Sequence, residues 1–237
     1  MVQYEKLLLL GLRNKVNKII DNLHQIEQNV QAAMERVGRT DNVQIIAVTK
    51  EVDVARTEEA INAGVRHLGE NRPEGLNLKV SSIERDVEWH YIGSLQTRKV
   101  KQVIHQVDYL HSLDRLSLAE EIQKRAEHKV KCFVQANVSG EESKHGLAAE
   151  QVIPFIEQLA QFDKIEVVGL MTMAPFTEDE TIIRNTFKQL KILKQQVEGL
   201  QLPYAPCTEL SMGMSNDYEI AIEEGATFVR IGTALVG

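Results

Sequence analysis

The sequence predicts an α/β protein that folds as one (β/α)8 TIM barrel, with a single domain over residues 1–237. Eight strand-like segments alternate with helix-like segments, which is typical of a parallel sheet with helical crossovers. Eight strands close a barrel, whose usual length of about 250 residues matches this chain. A doubly wound open sheet is the alternative, but neither a G-x-G-x-x-G nor a Walker A motif follows the first strand.

The chain begins with an expected amphipathic helix over residues 2–37. Its apolar side chains recur mostly at steps of three or four, as at Ile19 and Leu23. Gly38 supplies a stop signal for this helix. The apolar run at residues 7–10 is too short to span a membrane, and no basic start or small-residue cleavage site indicates a signal peptide.

Apolar, β-branched segments bounded by turn residues predict the eight strands. They cover residues 43–49, 66–69, 88–92, 107–111, 131–138, 165–170, 208–211 and 227–231. The helical spacing of apolar residues predicts the crossover helices. They cover residues 54–63, 73–84, 96–106, 115–128, 148–161, 179–198 and 215–224. The carboxyl ends of barrel strands carry the chemistry, so the residues that follow the strands are the functional candidates.

The composition is that of an ordinary globular protein, with 43% hydrophobic and 26% charged residues. The net charge of −7 argues against general binding of nucleic acid and against a polybasic membrane-binding surface. The two cysteines, Cys132 and Cys207, form no C-x-x-C pair, and no Cys/His cluster has the spacing of a zinc site. We therefore expect no disulfide, no metal and a cytoplasmic location.

Lys50 is the first candidate, because it follows the buried first strand directly. Ile46 and Val48 share its face of the strand, so its stem is expected to leave an apolar surface. An amine in this position can form a Schiff base with an aldehyde. An ordinary solvated lysine at a strand end is the plainer alternative.

Two glycine-containing segments near the end of the chain are candidate anion pockets. In S-M-G-M-S-N-D at residues 211–217, Gly213 permits close approach of the backbone, and Ser215 is expected to cap the following helix. R-I-G-T at residues 230–233 offers further donors, and barrel phosphate sites are often built from the loops after strands seven and eight. A ligand that carries both an aldehyde and a phosphate group would fit Lys50 and these anion pockets together, and pyridoxal 5′-phosphate (PLP) is the obvious candidate. Simple helix caps are the alternative.

Arg230 is a candidate with a separate role. It shares a strand face with Phe228, so its side chain is expected to point to the barrel mouth. A permanently charged guanidinium beside a pyridine nitrogen disfavours protonation of the ring and weakens the ring as an electron sink. A surface salt bridge is the alternative role.

Six segments stand out in order along nearly the whole chain. They are V-T-K at 48–50, G-E-N at 69–71, H-Y-I-G-S-L-Q at 90–96, G-L-M-T-M at 169–173, L-S-M-G-M-S at 210–215 and R-I-G-T at 230–233. Together they resemble the pyridoxal phosphate homeostasis protein family, whose members are relatives of the N-terminal barrel of alanine racemase, a type III fold of PLP proteins. The polar loop at residues 137–146, which contains Lys144, also matches that family.

The resemblance implies that PLP is held as a Schiff base on Lys50. It further implies that Arg230 faces the ring nitrogen and that Asn71 and His90 lie near the cofactor at strand ends. The implied phosphate contacts are Ser211, Gly213, Met214, Ser215, Gly232 and Thr233. One departure is visible: many relatives have Asn-Lys after L-Q, whereas this chain has T-R-K, with Arg98 as a local difference at the cavity rim.

The resemblance also implies a function. It indicates a cytoplasmic, monomeric protein that holds PLP and supplies it to the cell, with apo PLP enzymes as candidate recipients. Catalysis is not expected, because alanine racemase takes a tyrosine acid/base from a further domain and this chain ends at Gly237, just after the last strand. Two alternatives stay open: a weak PLP-dependent amino-acid racemase using Tyr91, Tyr204 or His90, and a sugar-phosphate aldolase using Lys50.

Overall fold

The computed structural model describes residues 2–141 and 145–237, with side chains from residue 18 onward. Its closed ring of eight parallel strands, surrounded by helices, confirms the predicted (β/α)8 barrel. The strands are β1 Gln44–Val48, β2 His67–Glu70, β3 Glu88–Tyr91, β4 Tyr109–Leu113, β5 Val130–Asn137, β6 Leu147–Ala148, β7 Ile165–Met171, β8 Glu209–Met214 and β9 Phe228–Ile231. The helices are α1 Val2–Arg36, α2 Val54–Asn62, α3 Pro73–Ser82, α4 Val100–Val103, α5 Leu116–Arg125, α6 Ala149–Gln158, α7 Glu180–Gly199, α8 Tyr218–Glu223 and α9 Thr233–Val236.

Parallel pairing runs around the ring in the order β4–β3–β2–β1–β9–β8–β7–β5, and pairing of β4 with β5 closes it. The two-residue strand β6 pairs with the end of β5, outside the ring. Each strand of the ring corresponds to one of the eight predicted strands, with shifts of a few residues at the ends. Because all the strands run in one direction, their carboxyl ends meet at one mouth.

Two apolar layers hold the barrel together. The interior layer consists of Ile46, Tyr109, Phe133, Val168, Met171 and Phe228. A larger layer lies between the strands and the helices, and strand residues such as Ala47 and Leu68 face it. Because the strands are covered on both faces, most of their residues are buried, and the strand β7 is an apolar run apart from Glu166 and Gly169.

Helix α1 packs its apolar stripe against the outside of the barrel. Ile19 and Leu23 are buried as predicted. Asn29 Nδ2 donates a hydrogen bond to the hydroxyl of Tyr218 in α8 at 2.8 Å. The helix ends two residues before Gly38, whose φ of +67° confirms the predicted stop signal.

Two of the crossover helices differ from the prediction. The expected helix over residues 96–106 is a 3-10 turn, Thr97–Lys99, followed by the short helix α4. The expected helix over residues 215–224 begins only at Tyr218, in α8. The last helix, α9, is absent from the sequence-based prediction.

Three further expectations concern the membrane, the cysteines and the polar loop after β5. In the described part of the chain, no helix combines the length and the apolar character needed to cross a membrane. Cys132 and Cys207 are buried, free thiols, and burial raises the pKa of Cys207 to about 12. Lys144 lies outside the residues that the structure describes.

Candidate functional site

The predicted site residues after β1, β8 and β9 lie at one edge of the barrel, because these strands are neighbours. Strand β9 pairs with β1 on one side and with β8 on the other, where Arg230 is the partner of Met214. Gly232, the first residue after β9, approaches the end of β1, since a Cβ built on it would lie 3.7 Å from the Cβ of Val48. The turns after β8 and β9 therefore share the strand-end edge with Lys50.

Lys50 lies in the turn directly after β1 and is exposed. Ile46, on the same face of the strand, packs inside the barrel, and Val48 is half-buried. The strand face that leads to Lys50 is therefore apolar, as predicted. The Lys50 amine remains open to a small molecule that enters from solvent.

A buried ion pair fixes the backbone beside Lys50. Lys79 Nζ in α3 lies 2.5 Å from Glu70 Oε1 and donates to the Thr49 carbonyl at 2.6 Å. The Thr49 hydroxyl donates to the same carboxylate oxygen at 2.6 Å. Gly75 makes room for this carboxylate, because a Cβ there would lie 2.8 Å from Glu70 Oε2. The peptide that precedes Lys50 is therefore tied to both the sheet and helix α3.

Arg230 lies buried inside the barrel, so the alternative of a surface salt bridge is wrong. Its NH1 donates to Ser211 Oγ at 2.6 Å, and its NH2 donates to the Thr172 carbonyl at 3.0 Å. Burial lowers the pKa of Arg230 to about 10, against an opposing effect of Asp217. The guanidinium stays protonated at neutral pH, so a fixed positive charge lies next to the β8 and β9 strand ends.

Three histidines, which we call the histidine column (His67, His90 and His111), continue this network through the barrel interior. His111 Nδ1 lies 2.9 Å from Ser211 Oγ, and His111 Nε2 lies 2.9 Å from His90 Nδ1. His90 Nε2 in turn lies 3.0 Å from His67 Nδ1. Burial lowers the pKa of His90 and His111 well below the ordinary histidine value, so both are neutral. His90 is fully buried and reaches Ser211 through His111, and its contact with a cofactor stays a prediction.

Gly213, near the end of β8 with a φ of +92°, and Asp217, in the turn that follows, shape the chain between β8 and α8. Asp217 Oδ1 accepts a hydrogen bond from the Met214 backbone N–H at 2.5 Å. Asp217 also occupies the N-cap position of α8, so the prediction that Ser215 caps this helix is wrong. No side chain caps α8 at this position, because the Asp217 carboxylate turns back to the Met214 N–H, and Ser215 lies half-buried in the turn.

Replacing Gly213 with alanine is expected to destabilise the protein. A Cβ there would lie 2.6 Å from the Cβ of Ala221, and the φ of +92° disfavours any side chain. Strain and overpacking together should lower the free energy of unfolding by about 2–5 kcal/mol, as measured by urea denaturation. Gly38→Ala is the matched control: its φ is +67° but no atom lies within 4 Å, so it should cost only about 1 kcal/mol. Equal losses for both variants would contradict the packing argument.

The remaining predicted residues lie at strand ends. Asn71 is half-buried directly after β2, Gly232 is the N-cap of α9, and Thr233 is exposed as the first residue of that helix. The roles of these residues as cofactor contacts stay predictions.

The sequence-based prediction missed four residues that hydrogen-bond to the site or beside it: Glu70, Lys79, His111 and Thr172. His111 could have been found from its position two residues after Tyr109, because residues two apart on a strand share a face.

Tyr91 and Tyr204, which were considered as acid/base groups, pack away from the barrel interior. Tyr91 lies in the core between the strands and the helices, and Tyr204 packs against that core. Burial raises the pKa of Tyr91 to about 12. Neither position suits proton transfer at the barrel mouth.

The class of protein is defined by a family model for the N-terminal domain of alanine racemase, which matches residues 22–237. The pyridoxal phosphate homeostasis protein of Aquifex aeolicus is 39% identical over 225 residues, covering 92% of this chain and 96% of that protein. A solved structure of PipY from Synechococcus elongatus, with PLP bound, has a TM-score of 0.81 and 31% identity, covering 92% of this chain and 100% of PipY. The chain belongs to the pyridoxal phosphate homeostasis protein family, within the alanine racemase N-terminal-domain barrels.

A more distant likeness supports the fold. Alanine racemase of Clostridium difficile has a TM-score of 0.71 at 15% identity, covering 91% of this chain and 56% of the racemase. At that identity the likeness shows the barrel alone. It carries no argument about activity.

Proposed function

We propose that this protein is a monomeric, cytoplasmic PLP carrier of vitamin B6 homeostasis, in which one domain over residues 1–237 binds PLP covalently at Lys50. The name of the Aquifex aeolicus relative and the PLP in the PipY structure support this ligand. The observation that carries the proposal is the strand register, which gathers Lys50 and the turns after β8 and β9 at one edge. Buried Arg230 adds a positive charge on the same strands.

The residues present fit both ends of PLP, which supplies an aldehyde and a phosphate group. The exposed Lys50 amine is positioned to form a Schiff base with the aldehyde, with loss of water. Gly232 leaves the backbone after β9 open to the phosphate, since the nearest atom to a Cβ built there would be 3.7 Å away. Gly213 contributes differently: its missing Cβ lets the end of β8 pack against Ala221 of α8. Ser215 and Thr233 add hydroxyl groups from the turns after β8 and β9, Ser211 adds one from within β8, where it is buried, and Met214 adds an exposed side chain.

The charge of Arg230 favours a protein that holds the cofactor over one that uses it in catalysis. Its guanidinium remains charged and donates to Ser211 Oγ and the Thr172 carbonyl. A permanent cation of this kind beside the ring nitrogen keeps that nitrogen unprotonated, which weakens the electron-sink chemistry that racemisation needs. Because Tyr91 and Tyr204 lie in the outer layer, the racemase alternative has no tyrosine support from these positions.

A transfer experiment tests the proposed function. PLP-loaded protein should restore the activity of an apo PLP enzyme even when a phosphatase that destroys free PLP is present, because the bound phosphate is shielded. The same loaded protein should exchange no α-protons of D- or L-alanine with deuterated water. Loss of all reactivation in the phosphatase arm would contradict supply by the carrier. Rapid α-proton exchange would establish the racemase instead.

A further inference from the structure

We propose that the amino-terminal end of the barrel holds a divalent transition metal of the zinc type, bound by His67, Glu88 and His90. This site lies at the end of the barrel opposite Lys50. The proposal does not rest on the PLP function, although His90 is linked through His111 to Ser211 in the network described above. Within the described part of the chain, these side chains are the only group of three or more His, Cys, Asp or Glu residues close enough to share a metal ion.

The three potential ligand atoms already converge. His67 Nδ1 lies 3.0 Å from Glu88 Oε2 and 3.0 Å from His90 Nε2, and all three atoms lie within 4.8 Å of one another. Zinc bonds of about 2.0–2.2 Å at tetrahedral angles place ligand atoms about 3.3–3.6 Å apart. Both 3.0 Å contacts of His67 Nδ1 would therefore lengthen by a few tenths of an ångström around a metal ion, and the third pair of atoms lies within the 4.8 Å that bounds the group. Two histidines and one carboxylate leave a fourth position for water, as in zinc sites with three protein ligands.

Outer contacts orient these ligands. His90 Nδ1 lies 2.9 Å from His111 Nε2, so an N–H on Nδ1 leaves the Nε2 lone pair free for a metal. Glu88 Oε1 lies 3.7 Å from Lys131 Nζ, which leaves Oε2 for the metal. Lys131 also reduces the attraction of the site for a cation, and the negative charge of Glu88 offsets that repulsion.

Access suits a metal ion as well. His67 lines a groove of about 370 Å³ between α1 and the amino-terminal end of the barrel, and 40% of the Glu88 side chain is exposed.

Hydrogen bonding alone is the competing explanation for this cluster. In that explanation the single N–H on His67 Nδ1 donates to Glu88 Oε2 and to His90 Nε2 at the same time. A metal ion instead satisfies three lone pairs together. Sequence spacing misses such a site, because its ligands come from two neighbouring strands, β2 and β3, and not from a short motif.

Zinc titration of the purified protein without added PLP tests the proposal. We expect one Zn²⁺ per chain by mass spectrometry of the metal content, and a tetrahedral absorption spectrum with Co²⁺. Glu88→Gln and His67→Gln should weaken Zn²⁺ affinity by more than about 100-fold, and His111→Gln by about 10–100-fold, measured by competition with a chromophoric chelator. His128→Gln, which changes an exposed histidine, is the matched control and should bind as the unmodified chain does.

Circular dichroism of each variant shows whether the barrel remains folded, and Glu88→Gln is the decisive one because its side chain is partly exposed. A folded Glu88→Gln protein with weakened Zn²⁺ binding supports the site. Failure of the unmodified protein to bind stoichiometric Zn²⁺, or unchanged affinity in both Glu88→Gln and His67→Gln, would overturn the proposal.

Discussion

Lys79→Met should lower the free energy of unfolding by about 3–5 kcal/mol, because it leaves the buried carboxylate of Glu70 without its charged partner. Both side chains are almost completely buried, with 4% and 2% of their surface exposed. The substitution also removes a donor from the Thr49 carbonyl, and Thr49 directly precedes Lys50. We therefore expect weaker PLP binding in the same variant. Urea denaturation and equilibrium dialysis measure the two effects.

Two further variants separate the buried pair from general effects of losing a lysine. Lys99→Met breaks an exposed pair with Glu74 at 3.4 Å and should cost at most about 1 kcal/mol. The double variant Glu70→Gln/Lys79→Met should recover part of the loss, since no unpaired charge remains buried. If Lys79→Met were as mild as Lys99→Met, the assigned role of this pair beside the site would be wrong.

Lys50→Ala should abolish the absorption band that marks covalent PLP while leaving the barrel folded. The side chain is exposed and follows the strand, so its removal creates no cavity in the core. The turns after β8 and β9 and Arg230 remain in place. We therefore expect residual binding of PLP without a covalent bond. Absorbance difference spectra and circular dichroism provide the two readouts.

Lys101→Ala is the matched control for this loss, because Lys101 is an exposed lysine on helix α4. It should retain the full absorption band on addition of PLP. A Lys50→Ala protein with an unchanged band would show that another amine holds the cofactor.

The barrel could be predicted from the sequence because its strands are covered on both faces. Segments such as β1 and β5 are mostly apolar and β-branched, so their positions could be predicted without any knowledge of their partners. The helix at residues 96–106 was harder, because the T-R-K segment forms a 3-10 turn before α4 begins. The cap of α8 was misassigned because Ser215 and Asp217 are both good capping residues, and only the three-dimensional turn decides between them.

The supporting residues of the site were not predictable in the same way. Glu70 and Lys79 are nine residues apart, and His111 and Ser211 are one hundred residues apart. Their contacts follow from the order of strands around the ring, which local patterns do not contain. Arg230 shows the same limit: its strand face was predicted, but its hydrogen bonds to Ser211 and Thr172 required the closed barrel.

One measurement tests the central claim directly: the unmodified protein is incubated with PLP, reduced with borohydride, digested and mapped by peptide mass spectrometry. We expect one phosphopyridoxyl group per chain, on the peptide that contains Lys50. A label confined to a different lysine, or no stable label at all, would contradict it.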